Sequence, residues 1–304
     1  MTTAVTVRRQ DFGFLSGYVR AHEQKLLDDN SIRRLVVAHS LSDVQHACAE
    51  TIFAADLFEA MSLDDAITHV DNAAGRLARS LYSIKGSEAF ALSMYRSFFD
   101  GFRIILFSPA RRSRKKEEWL MPCGFTVREL ASDQAISAAG MPGQIVAAIS
   151  SARSLLKAAY EKGGVKAVEQ AEPDAKNAFF EILETACGSK ARLLVSLLEA
   201  GRTEAARASE MLMQGSGSVE YALSSGHYEL DTFVTTIREA TSRDEILKAL
   251  RSYEDTVVER YGMTEPEPTF VMRFGFLLQD NVRVLKQAIY RLLLRSQATP
   301  GGEL

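Results

Sequence analysis

Three cysteines in 304 residues, with no Cys-x-x-Cys spacing among Cys48, Cys123 and Cys187, support neither a disulfide framework nor a thiolate metal site. They read as small buried fillers. Long apolar runs are missing too. Stretches such as "IILF" (104–107) fall far short of the roughly 18 to 20 residues that a membrane span requires. The opening "MTTAVTVRRQDFG" lacks the apolar core and small-residue cleavage site of a secretory signal, so a cytoplasmic location is expected. There is no basic excess either. A net charge of -3 and an isoelectric point near 6.0 argue against a nucleic-acid partner, which would ask for a positive field.

Motifs that carry chemistry are equally scarce. His22, His39, His46, His69 and His227 form neither a His-Glu-x-x-His zinc site nor the Glu-x-x-His of a di-iron helix. No Gly-x-x-x-x-Gly-Lys phosphate loop and no Gly-x-Ser-x-Gly elbow occurs, and "GSG" (215–217) lacks the strand and further glycines of a dinucleotide site. Asp28-Asp29 and Asp64-Asp65 lack the third aspartate of a magnesium-dependent helical cyclase and sit at helix edges, where acids complement the dipole. No catalytic residue, cofactor, metal or small-molecule substrate is therefore assigned. The basic cluster "RRSRKK" (111–116), partly cancelled by Glu117 and Glu118, reads as a solvated loop between helices. Tyr18, Phe98, Phe99, Phe102 and Phe107 fall at helical spacing and read as core.

What the chain does contain is amphipathic helix from end to end. Phe12, Leu15, Tyr18, Val19, Leu26 and Leu27 recur with helical period, and Ser31 is expected to cap a short second helix. Ser42 is expected to open a helix through Met61, and Ser62 with Asp65 has capping-box spacing ahead of the next. Gly86 ends that one, and Ser87 starts a long apolar helix that stops before Pro109. "WLMPCGFTVREL" (119–130) then reads as a joint: Pro122 and Gly124 break the chain, and Thr126 with Glu129 has the spacing of a new cap.

Beyond the joint, Pro142-Gly143 precedes a helix, Gly163-Gly164 interrupts it, and Pro173 opens the next, which is bent near Gly188. Thr203 is expected to start a helix through Met213, with a joint at Gly215 and Gly217. Ser242 with Glu245 caps another, "EPEP" (265–268) is a stiff linker, the last helix runs from about Thr269 to Gln297, and "TPGGEL" is a tail. Convincing alternating strands are absent, "AVTVRR" being the nearest, so the fold class is all-α with antiparallel bundles. "LMPCGFTV" (120–127) and "LMQGSGSV" (212–219) lie 92 residues apart, a hint of internal repetition.

Three segments together resemble the connector-subunit family of the A-type and V-type rotary ATPases (ATP synthases), designated C in the archaeal and bacterial enzymes and d in the eukaryotic vacuolar one. The opening helix is similar in Phe12, Phe14, Arg20, Glu23, Leu26 and Leu27. The stretch through the joint is similar in Asp100, Pro122, Gly124 and Leu130, although Arg103, Ile104 and Ile105 stand where the family has Asn-Leu-Lys. The closing helix is similar in Leu285, Lys286 and Ile289, with Asn281 where the family usually has glutamate. The resemblance implies a divergent bacterial member: three helical units (1–112, 113–206 and 207–304, with terminal helices able to pack across units) arranged as a funnel with pseudo-threefold symmetry.

It further implies a non-catalytic connector at the cytoplasmic face of the membrane. Its partners would be the shaft subunits and the membrane proteolipid ring, which it makes turn together for proton or sodium transport. The competing expectation is a free-standing helical scaffold that binds a partner helix or peptide in a groove.

Overall fold

The computed structural model describes residues 9–84, 86–107, 119–138, 141–188, 190–214, 227–261 and 266–298. The described residues form fourteen α-helices and contain no strand, only an isolated bridge between Leu120 and Thr126. In chain order they are α1 (Arg9–Glu23), α2 (Asp29–Val37), α3 (Leu41–Ala47), α4 (Ala54–Glu59), α5 (Leu63–Tyr82), α6 (Glu88–Ser93) and α7 (Tyr95–Phe107). After the joint come α8 (Val127–Leu130), α9 (Asp133–Ala138), α10 (Gly143–Cys187), α11 (Ala191–Gln214), α12 (Tyr228–Arg238), α13 (Arg243–Tyr261) and α14 (Pro266–Ala298). Among the described residues no helix is long and apolar enough to cross a membrane.

The chain divides into two compact units, Met1–Ala186 with Phe270–Leu304, and Cys187–Thr269. The division expected from the resemblance differs. Its boundary at 206/207 falls inside the continuous helix α11, and its boundary at 112/113 lies outside the described residues. So do "AVTVRR" up to Arg8, the basic cluster, the Gly215–Gly217 joint, most of the second copy of the 92-residue repeat and the tail.

Helix α5 organises the first unit. Ala66, His69, Val70, Ala73, Ala74, Leu77, Ala78 and Leu81 are buried at i, i+3, i+4 spacing. The alanines let neighbouring elements approach closely. Around its C-terminal end an aromatic core gathers Tyr82, Phe90 of α6, Phe98 of α7, Phe125, Phe179 of α10 and Phe274 of α14, in pairs with ring centroids 5.5 to 6.4 Å apart. Each ring buried there contributes roughly 1.5–3 kcal/mol relative to exposure, and the pairing geometry adds to that.

Helix α14 closes this unit by reaching back to the start of the chain. Asn281 Oδ1 accepts from the Leu27 amide at 2.6 Å, Lys286 pairs with Asp71 at 2.5 Å, and Arg291 donates to the Leu35 carbonyl at 2.9 Å. In the second unit, α11, α12 and α13 pack on one another around Phe233, Ile237, Ile246, Tyr253 and Val257.

Several local expectations are corrected. Asp28, and not Ser31, caps α2, accepting from the Ser31 amide at 2.7 Å. Ser40 with Asp43 forms the capping box of α3, two residues ahead of Ser42. The helix expected through Met61 is two, because Ile52 N donates to the Lys25 carbonyl and Thr51 bonds back to Cys48, drawing residues 48–53 out of helical register. The long apolar helix after Ser87 breaks at Met94, where Gln279 of α14 donates to the Ser93 carbonyl at 2.5 Å and takes the place of a helical amide.

Pro173 lies inside α10, whose break is at Gly163 and Gly164, the latter at φ 63°. Thr203 lies inside α11, its hydroxyl turned back onto the Glu199 carbonyl at 2.8 Å. "EPEP" does not remain a linker throughout, since Pro266 begins α14, a position where the missing amide costs little.

Candidate functional site

The joint at 119–130 is the most specifically built feature of the first unit. Gly124 donates to the Met121 carbonyl at 2.8 Å and Met121 to the Phe125 carbonyl at 2.9 Å, closing a tight turn. Gly124 sits at φ 82°, and a Cβ there would meet the Arg79 amide nitrogen at 2.9 Å. On the opposite face of the contact, a Cβ on Gly75 of α5 would lie 2.4 Å from the Met121 carbonyl oxygen. Turn and helix therefore touch backbone to backbone. Cys123 and Phe125 are fully buried beneath it, and burial pushes the Cys123 thiol up to about 12, so it stays protonated and unreactive.

Polar contacts anchor the same surface. Thr126 and Glu129 form a reciprocal capping box for α8, and Glu129 also pairs with Arg79 of α5. Burial pushes the Glu129 carboxyl up, but the Thr126 amide and the Arg79 guanidinium outweigh it and hold it below the usual glutamate range. A lowered folded value means that this stabilisation is present above the unfolded value of 4.5 and is lost as pH falls through the folded one. Glu129→Gln should therefore lower stability at neutral pH and flatten its decline below about pH 4.5, measured as urea midpoints across the acid range. One to two turns back along α5, buried Asp56 of α4 accepts from Asn72 at 2.9 Å and from Arg76, while Asn72 Oδ1 accepts from the Leu120 amide at 3.4 Å.

The residues singled out in the sequence occupy different kinds of position. Gly124 lies in the turn and Pro122 is half-buried beside it; Leu285 is fully buried. Lys286 is ion-paired to Asp71, whose carboxyl burial raises above its usual range against the pull of Lys286, with Asp100 raising it further. Asp100 itself is exposed and pairs with Arg103, which also binds Glu172 through two bonds of 2.6 and 2.8 Å. Arg103, a departure from the family pattern, thus ties α7 to α10. Arg20 stands 5.3 Å from the centre of the Phe270 ring. Phe14 is exposed with its ring 6.4 Å from that of Tyr18, Glu23 is exposed, and the side chain of Phe12 is outside the described residues. Asn281 accepts from Leu27 and donates to the Leu277 carbonyl at 2.8 Å, a double role that a glutamate carboxylate could not fill.

Sequence reading misses α5 as the meeting place. Tyr18 of the opening helix reaches Ser80 at 2.9 Å, the joint packs on Gly75, Arg79 and Ala78, and Lys286 of the closing helix binds Asp71. The signal that could have found it is the alanine-rich stripe of α5 itself. Among the described residues no group of three or more His, Cys, Asp or Glu side chains is gathered to hold a metal ion. In comparison with known proteins, no family model matches the chain and no curated protein matches it.

Proposed function

We propose that the chain is a non-catalytic connector of a V/A-type rotary ATPase, coupling the central shaft to the membrane proteolipid ring at the cytoplasmic face. One observation carries the reading. The three segments that resemble the family, separated by up to some 250 residues, converge on a single helix, α5, through Tyr18–Ser80, Gly124–Arg79 and Lys286–Asp71. A connector must transmit torque through a body that does not yield, and joining both ends of the chain and the joint to one buried helix is a way to build such a body. The charged groups around α5 are consumed in structural ion pairs, which suits a coupling part better than a reaction centre.

The test is retention of the assembly. The tagged chain, expressed at native level in its own host and extracted from membranes in mild detergent, is expected to bring down shaft and proteolipid-ring subunits in mass spectrometry. Recovery of a monodisperse chain without any rotary subunit would overturn the proposal.

A further inference from the structure

Within the second unit, an open cavity of about 180 Å³ lies between α12 and α13. The stacked rings of Phe233 and Tyr253, 4.8 Å apart, line it together with Tyr228, Glu229, Thr232 and Ser252. A void of about 150 Å³ admits a benzene-sized guest, so this one has room for a flat side-chain head group. Tyr228 is 77% exposed, which leaves its ring face available at the rim.

Glu229 decides the chemistry. Its side chain is only 3% exposed, yet its ion-pair partner Arg260 is 61% exposed and is not part of the cavity wall. The second carboxylate oxygen is reached by the Tyr261 hydroxyl at 3.2 Å, a long contact that leaves acceptor capacity. The carboxylate is covered but shallow. Its own backbone amide first, then Arg260 and Tyr261, hold it below the usual glutamate range, so it is charged at neutral pH.

We propose that this pocket receives the arginine or lysine side chain of a partner protein, with Arg260 as the chain's own placeholder on Glu229 until the partner arrives. A shielded carboxylate supplies the charge-assisted bonds, aromatic faces attract the cation, and the wall hydroxyls accept its remaining N–H donors. A neutral guest would gain no ion pair and an anionic one would be repelled. The proposal does not depend on the rotary reading, because it concerns side-chain chemistry in one unit and is tested on the isolated chain.

The experiment is an amide NMR titration of the full chain with N-acetylarginine amide, with N-acetylglutamine amide as the neutral control. Saturable shifts at Glu229, Thr232 and Tyr253 are expected with the arginine probe alone. Glu229→Gln should weaken binding about tenfold. Arg260→Ala should tighten it severalfold by vacating the carboxylate, a gain that a merely structural ion pair would not yield. Thr232→Trp, at a wall position, should block the pocket with Glu229 intact, and it decides the matter if Glu229→Gln unfolds the unit. Equal binding of both probes, no saturation with arginine amide, or unchanged binding in Thr232→Trp would each overturn the proposal.

Discussion

Gly75→Ala is expected to destabilise the chain by about 1–3 kcal/mol, although alanine is the better helix former by about 1 kcal/mol. The added Cβ would sit 2.4 Å from the Met121 carbonyl oxygen, 2.6 Å from the Leu120 Cβ and 3.2 Å from the Leu120 carbonyl carbon. Two of those three atoms are backbone, so no rotamer change relieves the clash and the whole turn at 120–126 must move. Moving it strains the Leu120–Asn72 bond and lifts Cys123 and Phe125 from their buried seats. Gly17→Ala is the matched control. Gly17 lies in α1 with nothing within 4 Å of the position a Cβ would take. There the propensity gain stands alone, and stability should rise by about 0.5–1 kcal/mol. Urea midpoints of the two variants on opposite sides of the parent would establish that the joint rests on backbone contact with α5. Movement in the same direction would remove that claim.

The joint was legible because its signals are local. Pro122, Gly124 and the Thr126–Glu129 spacing are a turn and a cap whatever surrounds them, and the structure has both. The breaks at Gly163-Gly164 and Gly188 were legible for the same reason, with φ 63° at Gly164 and 94° at Gly188. The errors share a different cause. Ser42 and Ser31 carry the same capping chemistry as Ser40 and Asp28, and the choice is made by backbone geometry one turn away. The break at Met94 depends on Gln279, 186 residues from the carbonyl it satisfies, and no local pattern announces that. Thr203 looked like a helix start because threonine favours caps, but in a helix interior it returns its hydroxyl to the preceding turn. The convergence on α5 is relational too. Asp71 and Ser80 acquire meaning only once Lys286 and Tyr18 arrive from the chain's two ends.

The largest loss is expected in the second unit, from Arg202→Met. Arg202 of α11 and Glu254 of α13 are 8% and 4% exposed and form an ion pair at 2.6 Å. The approach that brings them together is set by their neighbours. Gly201 lets the Tyr253 ring come within 2.2 Å of where a Cβ would stand, and the Tyr253 hydroxyl donates to the Leu197 carbonyl at 2.8 Å, fixing α13 against α11 beside the pair. Removing the guanidinium breaks an ion pair that is almost wholly buried, which costs about 3–5 kcal/mol. Attraction and desolvation of the intact pair nearly cancel, so the double change Arg202→Met with Glu254→Leu should return most of that loss. Hydrogen exchange across α11, α12 and α13 reads the effect where it arises: faster in the single variant, near parental in the double. A single variant as slow to exchange as the parent would overturn this expectation and put the pair's worth at that of a surface contact, less than about 1 kcal/mol.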